Sequence, residues 1–305
     1  MQTPWGDIPV SDAHVHFFSH RYFSLLAAQR NCSFADLEPI LGWTMPPEQP
    51  EQLANDWVQE MITHGVARAA IIASIPTDES SVDAAVRAYP KRFYGYFMIN
   101  PTTGEATPAV EKALAGPFLQ GICFFPAMHR YSMHDERVLP LLEMASSKPG
   151  TVIFVHCGVL TVGIRRKLGL PSPFDMRFSN PLDIAYLAHR FPTLSFVIPH
   201  FGGGMFREAL MLCDLCPNAY LDTSSTNSWV KYQEPGCDLT TVFRRSLEIA
   251  GPQRLLFGSD SSFFPRGWQK PLFDQQVEIL HNLGVTEPDA RAILGENLQR
   301  LLSRG

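Results

Sequence analysis

Short apolar runs alternate with longer segments of helical periodicity along the whole chain. The runs predict eight strands, at residues 8–15, 69–73, 93–99, 119–124, 151–156, 194–199, 219–221 and 254–258. The segments between and after them predict helices at 51–64, 82–89, 107–114, 135–146, 181–190, 207–215, 239–250, 271–283 and 288–302. Strands that are apolar on both faces and alternate with helices belong to a parallel sheet, because covering layers must hide both faces. Eight such units in 305 residues favour an α/β fold of the closed (β/α)₈-barrel type.

The organisation of the chain predicts one barrel domain over residues 1–305, because no linker rich in glycine, serine or charge divides it. Two segments are too long to be simple connections: residues 20–50 after the first strand and residues 160–180 after the fifth. Both follow the C-terminal ends of strands, where barrel enzymes build their active sites. We therefore expect these segments to form walls or lids of a site.

Composition restricts the partners. With 45% hydrophobic residues and a net charge of −5, the chain can bury a large core and has no general attraction to nucleic acid or anionic lipid, so small molecules are the expected partners. No run approaches the ~18 apolar residues of a membrane span, and the N-terminus lacks a secretory signal, so a cytoplasmic location is expected.

Six dispersed cysteines do not resemble a disulfide framework. We interpret Cys213 and Cys216, an isolated C-x-x-C, as two small apolar residues on a helix face.

Polar residues end several of the apolar runs. His14 and His16 lie two apart at the end of the first apolar run, and in extended backbone their imidazoles point to the same side. His156 and His200 close the fifth and sixth runs, and Asp260 follows the eighth. Because burying such groups without partners is costly, and because parallel strand ends meet at one barrel mouth, their convergence predicts a metal ion there. Asp222 on the seventh strand is open to two interpretations, a wall residue or the cap of the following loop.

These motifs, taken in order, resemble the amidohydrolase superfamily, specifically the amidohydrolase-2 branch of aminocarboxymuconate-semialdehyde decarboxylase-like metal-dependent hydrolases. The resemblance covers nearly the whole chain. It is carried by Asp12-Ala13-His14-Val15-His16, Val155-His156-Cys157-Gly158, Asn180-Pro181-Leu182, Phe191-Pro192-Thr193-Leu194, Pro199-His200-Phe201-Gly202-Gly203-Gly204 and Leu256-Phe257-Gly258-Ser259-Asp260.

The resemblance implies one divalent metal ion, most often Zn²⁺ and alternatively Mn²⁺. It implies that the ligands are His14, His16, His156 and Asp260. It further implies that His200 is the acid/base residue beside the metal. For a hydrolytic reaction we also expect Asp260 to accept a proton as a metal-activated water attacks. Relatives are often dimers or tetramers, so a homo-oligomer is an expectation that rests on resemblance alone.

The sequence also departs from the family pattern. Many relatives have a lysine in the fourth strand, where this chain reads Gly121-Ile122-Cys123-Phe124-Phe125-Pro126. Without that lysine, a carbamylated bridge between two metals cannot form, which favours a single metal. After Asp260 the chain continues Ser261-Ser262-Phe263-Phe264-Pro265 in place of the common Tyr-Pro, which changes residues beside the metal.

Candidate substrate contacts also follow strand ends. We predict Phe17, Arg177 and Arg266 as substrate-binding residues, because arginine suits carboxylate recognition and aromatic rings line apolar pockets. For arginines the alternative is a solvated surface role, and for aromatic residues it is packing of the barrel top. The glycines 202–204 are interpreted as room for close backbone approach beside His200, and not as a nucleotide-binding loop.

Three functions are compatible with these residues. The first is a hydrolase that cleaves an amide, ester or lactone bond of a small organic acid through a metal-activated water. The second is a metal-dependent, non-oxidative decarboxylase of an aromatic or muconate-like acid. The third, a barrel that binds a ligand without turnover, has no need for an acid/base residue beside a metal.

Overall fold

The computed structural model of the chain describes residues 1–224 and 228–303. Its centre is a sheet of eight parallel strands paired in chain order. The strands are β1 (Val10–Phe17), β2 (Val66–Ala73), β3 (Phe93–Ile99), β4 (Leu119–Phe124), β5 (Val152–Val155), β6 (Ser195–Ile198), β7 (Ala219–Asp222) and β8 (Leu255–Leu256). A hairpin of two short strands, Gln2–Thr3 and Gly6–Asp7, precedes them.

The sheet closes between its first and last strands. The amide of Ala13 donates to the carbonyl of Phe257 at 2.8 Å, the amide of Asp260 to His14 at 2.9 Å, and the amide of His16 to Ser261 at 2.7 Å. These bonds continue the ladder beyond the two residues of β8, so the eight strands form a nearly closed barrel. The predicted (β/α)₈ barrel is confirmed.

Helices cover the outside of the barrel between the strands. The α-helices are His20–Arg30, Leu37–Leu41, Pro50–His64, Glu79–Ala88, Ala106–Ala115, Pro126–His129, Val138–Ser146, Gly163–Lys167, Ala185–Arg190, Phe206–Leu215, Leu239–Ile249, Lys270–Asn282, Glu287–Arg291 and Asn297–Leu302. The last two are joined by a π-helical segment, Ala292–Glu296, which completes the predicted helix at 288–302. None of the described helices is both long and apolar enough to span a bilayer.

The two faces of each strand pack in different clusters. In β2, Ala70 and Ile72 face the barrel interior with Tyr96 and Phe154, whereas Ile71 packs in the layer between strands and helices. This alternation follows from the period of two in a strand. Both layers are fully buried, which explains the continuous apolar runs in the sequence.

The two long segments predicted as walls pack against each other. Residues 20–50 form the helices His20–Arg30 and Leu37–Leu41, and their apolar faces share a separate hydrophobic cluster with Ile164 and Leu168 of the second segment. The Arg165 guanidinium also donates to the side-chain oxygen of Gln29 at 2.7 Å. The segments therefore form one joined cover beside the C-terminal ends of β1 and β5.

Candidate metal centre

The C-terminal half of β1 carries two imidazoles that meet. Nε2 of His14 lies 3.3 Å from Nε2 of His16. The next residue, Phe17, points the opposite way: it is fully buried in the layer between strands and helices. The prediction that Phe17 contacts substrate is therefore not supported by its position, because the alternation that turns His16 inward turns Phe17 outward.

The other ring nitrogen of each histidine is held by a polar partner. Nδ1 of His14 donates to Oδ2 of Asp222 at 2.7 Å. Nδ1 of His16 lies 2.7 Å from the hydroxyl of Ser74, and that hydroxyl donates to the carbonyl of Ile72 at 3.1 Å. Ser74 has one hydrogen and gives it to Ile72, so its oxygen accepts from His16 Nδ1. Both imidazoles therefore carry their proton on Nδ1 and leave a bare lone pair on Nε2.

Asp260 completes the group from the end of β8. Its Oδ1 lies 3.3 Å from Nε2 of His16 and 3.7 Å from Nε2 of His14. Its backbone is left-handed, with φ of 57°, a conformation that costs about 1–3 kcal/mol for a residue with a side chain. Burial alone would raise the pKa of Asp260, but the neighbouring imidazoles of His16, His14 and His200 outweigh it and hold the pKa below its usual range. Asp260 is thus present as a carboxylate.

The three atoms fit a metal ion. A tetrahedral site with bonds of ~2.0–2.1 Å to nitrogen or oxygen has edges of roughly 3.3–3.4 Å, close to the 3.3–3.7 Å separations found here. Two lone pairs and a carboxylate oxygen otherwise face one another without a proton between them. Burial lowers the pKa of His16, which favours the neutral form that ligation requires. Burial also acts to lower the pKa of His14, but Asp222 and Asp260 raise it overall, so a proton competes with a cation there.

His156, at the end of β5, lies at the same mouth but outside this group. Within the described residues, the set of close ligand atoms contains His14, His16 and Asp260 only. The ring of His156 is 5.2 Å from that of His200, and its Nδ1 is buried without a hydrogen-bond partner in the described chain. Burial and the neighbouring His200 and His14 hold its pKa well below the usual value. An unpartnered neutral nitrogen in this position suits a cation or a polar ligand.

His200 follows β6 on an unusual backbone path. His200 and Phe201 have φ of 58° and 52°, and the next three residues, glycines 202–204, also have positive φ. A Cβ on Gly158 would lie 2.0 Å from the carbonyl oxygen of Gly202, so the loops after β5 and β6 touch backbone to backbone. The predicted close approach beside His200 is confirmed, and the His200 ring lies beside that of His14. Its ring centroid lies 5.0 Å from that of His14.

The two predicted substrate arginines differ in position. Nη2 of Arg266 donates to the backbone oxygen of Asp260 at 3.1 Å and to the hydroxyl of Ser262 at 2.7 Å, and its guanidinium stacks over Phe263. Arg177 is solvated and paired with Asp175 at 2.6 Å. The structure thus places a cation beside the candidate metal ligands at Arg266 and not at Arg177, where the solvated alternative holds.

Three polar residues of the site were missed or left open by sequence reasoning. Asp222 fits both interpretations, as a wall residue and as a cap of the following loop, since it accepts from His14 and also from the amide of Ser224 at 2.6 Å. Ser224 lies 2.9 Å from both His14 Nδ1 and His200 Nδ1. Ser74 and Ser224 each stand two residues beyond an inward-facing position, Ile72 and Asp222. The period of two is therefore the signal that identifies them.

Known proteins resemble this chain at different levels. Protein fluG of Emericella nidulans is 27% identical over 171 residues, which are 55% of this chain but only 18% of that protein's length. An uncharacterised TIM-barrel protein of Bordetella bronchiseptica superposes with a TM-score of 0.66 at 20% identity, covering 97% of this chain and 98% of that one.

Two further solved structures superpose at low identity. A probable 2-pyrone-4,6-dicarboxylic acid hydrolase of Acinetobacter baumannii, with citric acid bound, gives a TM-score of 0.62 at 14% identity, covering 97% and 99% of the two chains. The 5-carboxyvanillate decarboxylase of Novosphingobium aromaticivorans, with manganese and a nitrobenzoic acid, gives 0.59 at 11% identity, covering 96% and 94%. At these identities the similarity establishes the fold.

The family assignment rests on the sequence itself. The Amidohydrolase family model (Amidohydro_2) matches residues 11–304, which include β1 with His14 and His16 and extend beyond Asp260 to the C-terminal helices. With that match over nearly its whole length, the chain belongs to the amidohydrolase family of metal-dependent enzymes.

Proposed function

We propose that this protein is a metal-dependent hydrolase that cleaves an amide, ester or lactone bond of a small organic acid. The observation that carries the proposal is the convergence of His14 Nε2, His16 Nε2 and Asp260 Oδ1 within 3.3–3.7 Å at the mouth of the barrel. Asp222 and Ser74 orient the two imidazoles from behind, as partners of metal-bound histidines do. His156 is the proposed further ligand, and Zn²⁺ is the proposed ion, with Mn²⁺ as the alternative.

The proposal is for a single ion. Cys123 occupies the inward-facing position of β4 where many relatives have lysine, and it is fully buried. Burial raises the pKa of its thiol well above the ordinary value. Neither a carbamate nor a thiolate is therefore available there to bridge a second metal.

The chemistry divides between the bound ion and the chain. A divalent ion at this site supplies a Lewis acid that activates water near neutral pH. Asp260 accepts a proton as water attacks, since its carboxylate is ionised and lies at the ligand set. His200, neutral because burial lowers its pKa, hydrogen-bonds the substrate oxygen on which charge develops. Arg266 binds a substrate carboxylate beside Asp260.

A carboxylate-bearing substrate is supported by two considerations. Arg266 presents a guanidinium next to the ligand set, and its contact with Phe263 orients it at the mouth. The structurally similar probable hydrolase has citric acid bound, and the decarboxylase is complexed with manganese and a nitrobenzoic acid.

Decarboxylation of an aromatic or muconate-like acid is the second candidate. The structural similarity to a manganese-containing 5-carboxyvanillate decarboxylase favours it, and the same residues would serve, with His200 near the carbon that is protonated. Lactones and carboxylated aromatic acids offered to the metal-loaded enzyme in ¹⁸O-water separate the two. An organic product that contains ¹⁸O, formed without release of CO₂, supports the hydrolase. Release of CO₂ with no ¹⁸O in the organic product supports the decarboxylase.

Metal analysis tests the site directly. We expect roughly one equivalent of divalent ion in the purified protein and little in the double variant His14→Ala, His16→Ala. The control is His134→Ala, His189→Ala, two exposed histidines on outer segments, which should keep the wild-type content. Equal metal in both double variants would contradict the proposed ligands.

A further inference from the structure

The hydroxyl of Ser224 lies between a proposed metal ligand and the proposed catalytic histidine. Its Oγ is 2.9 Å from Nδ1 of His14 and 2.9 Å from Nδ1 of His200, and the residue is fully buried. Ser224 stands two residues after Asp222, so both side chains reach inward from the end of β7. A single hydroxyl between two imidazoles can donate to only one of them.

The hydrogens in this group can be counted. Asp222 presents a carboxylate oxygen 2.7 Å from Nδ1 of His14, so that nitrogen holds a proton and donates it. A protonated Nδ1 has no lone pair, so it cannot accept the hydrogen of Ser224. Among the described residues, the remaining atom bonded to the Ser224 hydroxyl is Nδ1 of His200. Within the described residues, the lone pair open to the Ser224 hydrogen is that of His200 Nδ1, and a bond in this direction puts the proton of His200 on Nε2.

We propose that Ser224 is a positioning residue that holds His200 in the Nε2–H tautomer and so makes it a hydrogen-bond donor to substrate. This inference rests on the proposed function, in which His200 faces a substrate oxygen. It deepens that function by assigning the direction of the hydrogen bond. The atom that meets His200 is a carbonyl or carboxylate oxygen, which accepts, and not a hydroxyl or amine that must lose a proton to it.

The backbone around His200 explains why a fixed tautomer is useful. His200 and the following residues to Gly204 all have positive φ, and the loop after β6 touches that after β5 at Gly158. This path holds the Cα of His200 but leaves rotation of the ring about its side-chain bonds. The bond from Ser224 fixes the ring plane and directs Nε2 away from β7. It also links His200 through Ser224 to Asp222, which orients the ligand His14.

Nitrogen NMR of histidine-labelled protein tests the proposal. In the Zn²⁺-loaded wild type, we expect His200, assigned with His200→Gln, to carry its proton on Nε2 and to show an Nδ1 that accepts a hydrogen bond. In Ser224→Ala, Nδ1 of His200 loses that hydrogen bond, so the ¹⁵N chemical shifts of the His200 ring should change. Ser224→Cys, with a weaker donor of similar size, gives intermediate shifts. The control is Ser246→Ala, which removes another fully buried serine hydroxyl, on an outer helix and without a hydrogen-bond partner in the described chain.

Kinetics give a second readout on any substrate that the enzyme turns over. Ser224→Ala should lower kcat by about ten-fold or more with KM within about two-fold, because the donor is needed in the transition state more than in binding. A proton on Nδ1 of His200 in the wild type, or His200 shifts unchanged in Ser224→Ala, overturns the proposal. If no substrate is turned over, the proposed function fails, whereas the wild-type spectrum still decides the role of Ser224.

Discussion

Asp222→Asn should weaken metal binding although Asp222 is not a ligand. Its two carboxylate oxygens accept from two donors, the Nδ1 proton of His14 at 2.7 Å and the amide of Ser224 at 2.6 Å. An asparagine has one oxygen and one NH₂ group, so it can satisfy only one of the two donors. The other then faces an NH₂ group in a fully buried site, or His14 moves its proton to Nε2, where the metal must bind.

The expected magnitude follows from the role of such partners. Loss of the group that orients a metal-bound histidine costs roughly 10–100-fold in affinity, or about 1.4–2.7 kcal/mol. The Kd of the metal-free protein for Zn²⁺ would be measured by competition with a chelator of known affinity at constant pH. Asp78→Asn is the matched control, because Asp78 is also fully buried but accepts from two serine hydroxyls, which can rotate to suit an amide.

If Asp222→Asn binds Zn²⁺ within about two-fold of both the wild type and Asp78→Asn, the carboxylate does not orient His14 for a metal. A loss of affinity equal in the two variants would instead indicate a general effect of removing a buried charge.

Three further predictions concern stability, pH and substrate. Asp12→Asn should lower the free energy of unfolding by about 1–3 kcal/mol in urea titrations. The Asp12 carboxylate accepts three N–H groups, including the indole of Trp268, and the NH₂ group of an asparagine would have to face at least one of these donors. An unchanged urea midpoint would contradict this. Burial lowers the pKa of His129 to about 4, below the ~6.5 of the unfolded chain, so the neutral form is favoured on folding. Stability from this group, at most about 3 kcal/mol, is therefore lost as pH falls from about 6.5 towards 4. His129→Gln should make the free energy of unfolding depend less on pH in that range, and an equally steep dependence in the variant would contradict this. Arg266→Gln should raise KM for a carboxylate substrate by roughly 10–100-fold, whereas the solvated Arg177→Gln should not, and equal effects would remove the proposed role of Arg266.

The sequence was sufficient for the architecture. Alternation of apolar runs with helical segments predicted eight strands in the right places, with shifts of a few residues such as 8–15 against Val10–Phe17 for β1. This prediction succeeds because both faces of a parallel strand are buried, so each strand is marked in the sequence by a continuous apolar run. The polar residues that end the runs were recognisable for the same reason, and His14, His16 and Asp260 do meet.

The polar groups that hold these residues, and the directions in which their side chains face, depend on the folded barrel. Asp222 is 208 positions from His14, and the contact exists only because the barrel brings β7 close to β1. The left-handed turns at His200 and Asp260 depend on neighbouring loops, which local propensity does not record. Local pattern determines which face of a strand a side chain takes, but a hydrogen-bonding network across strands depends on closure and register, which arise from the whole chain.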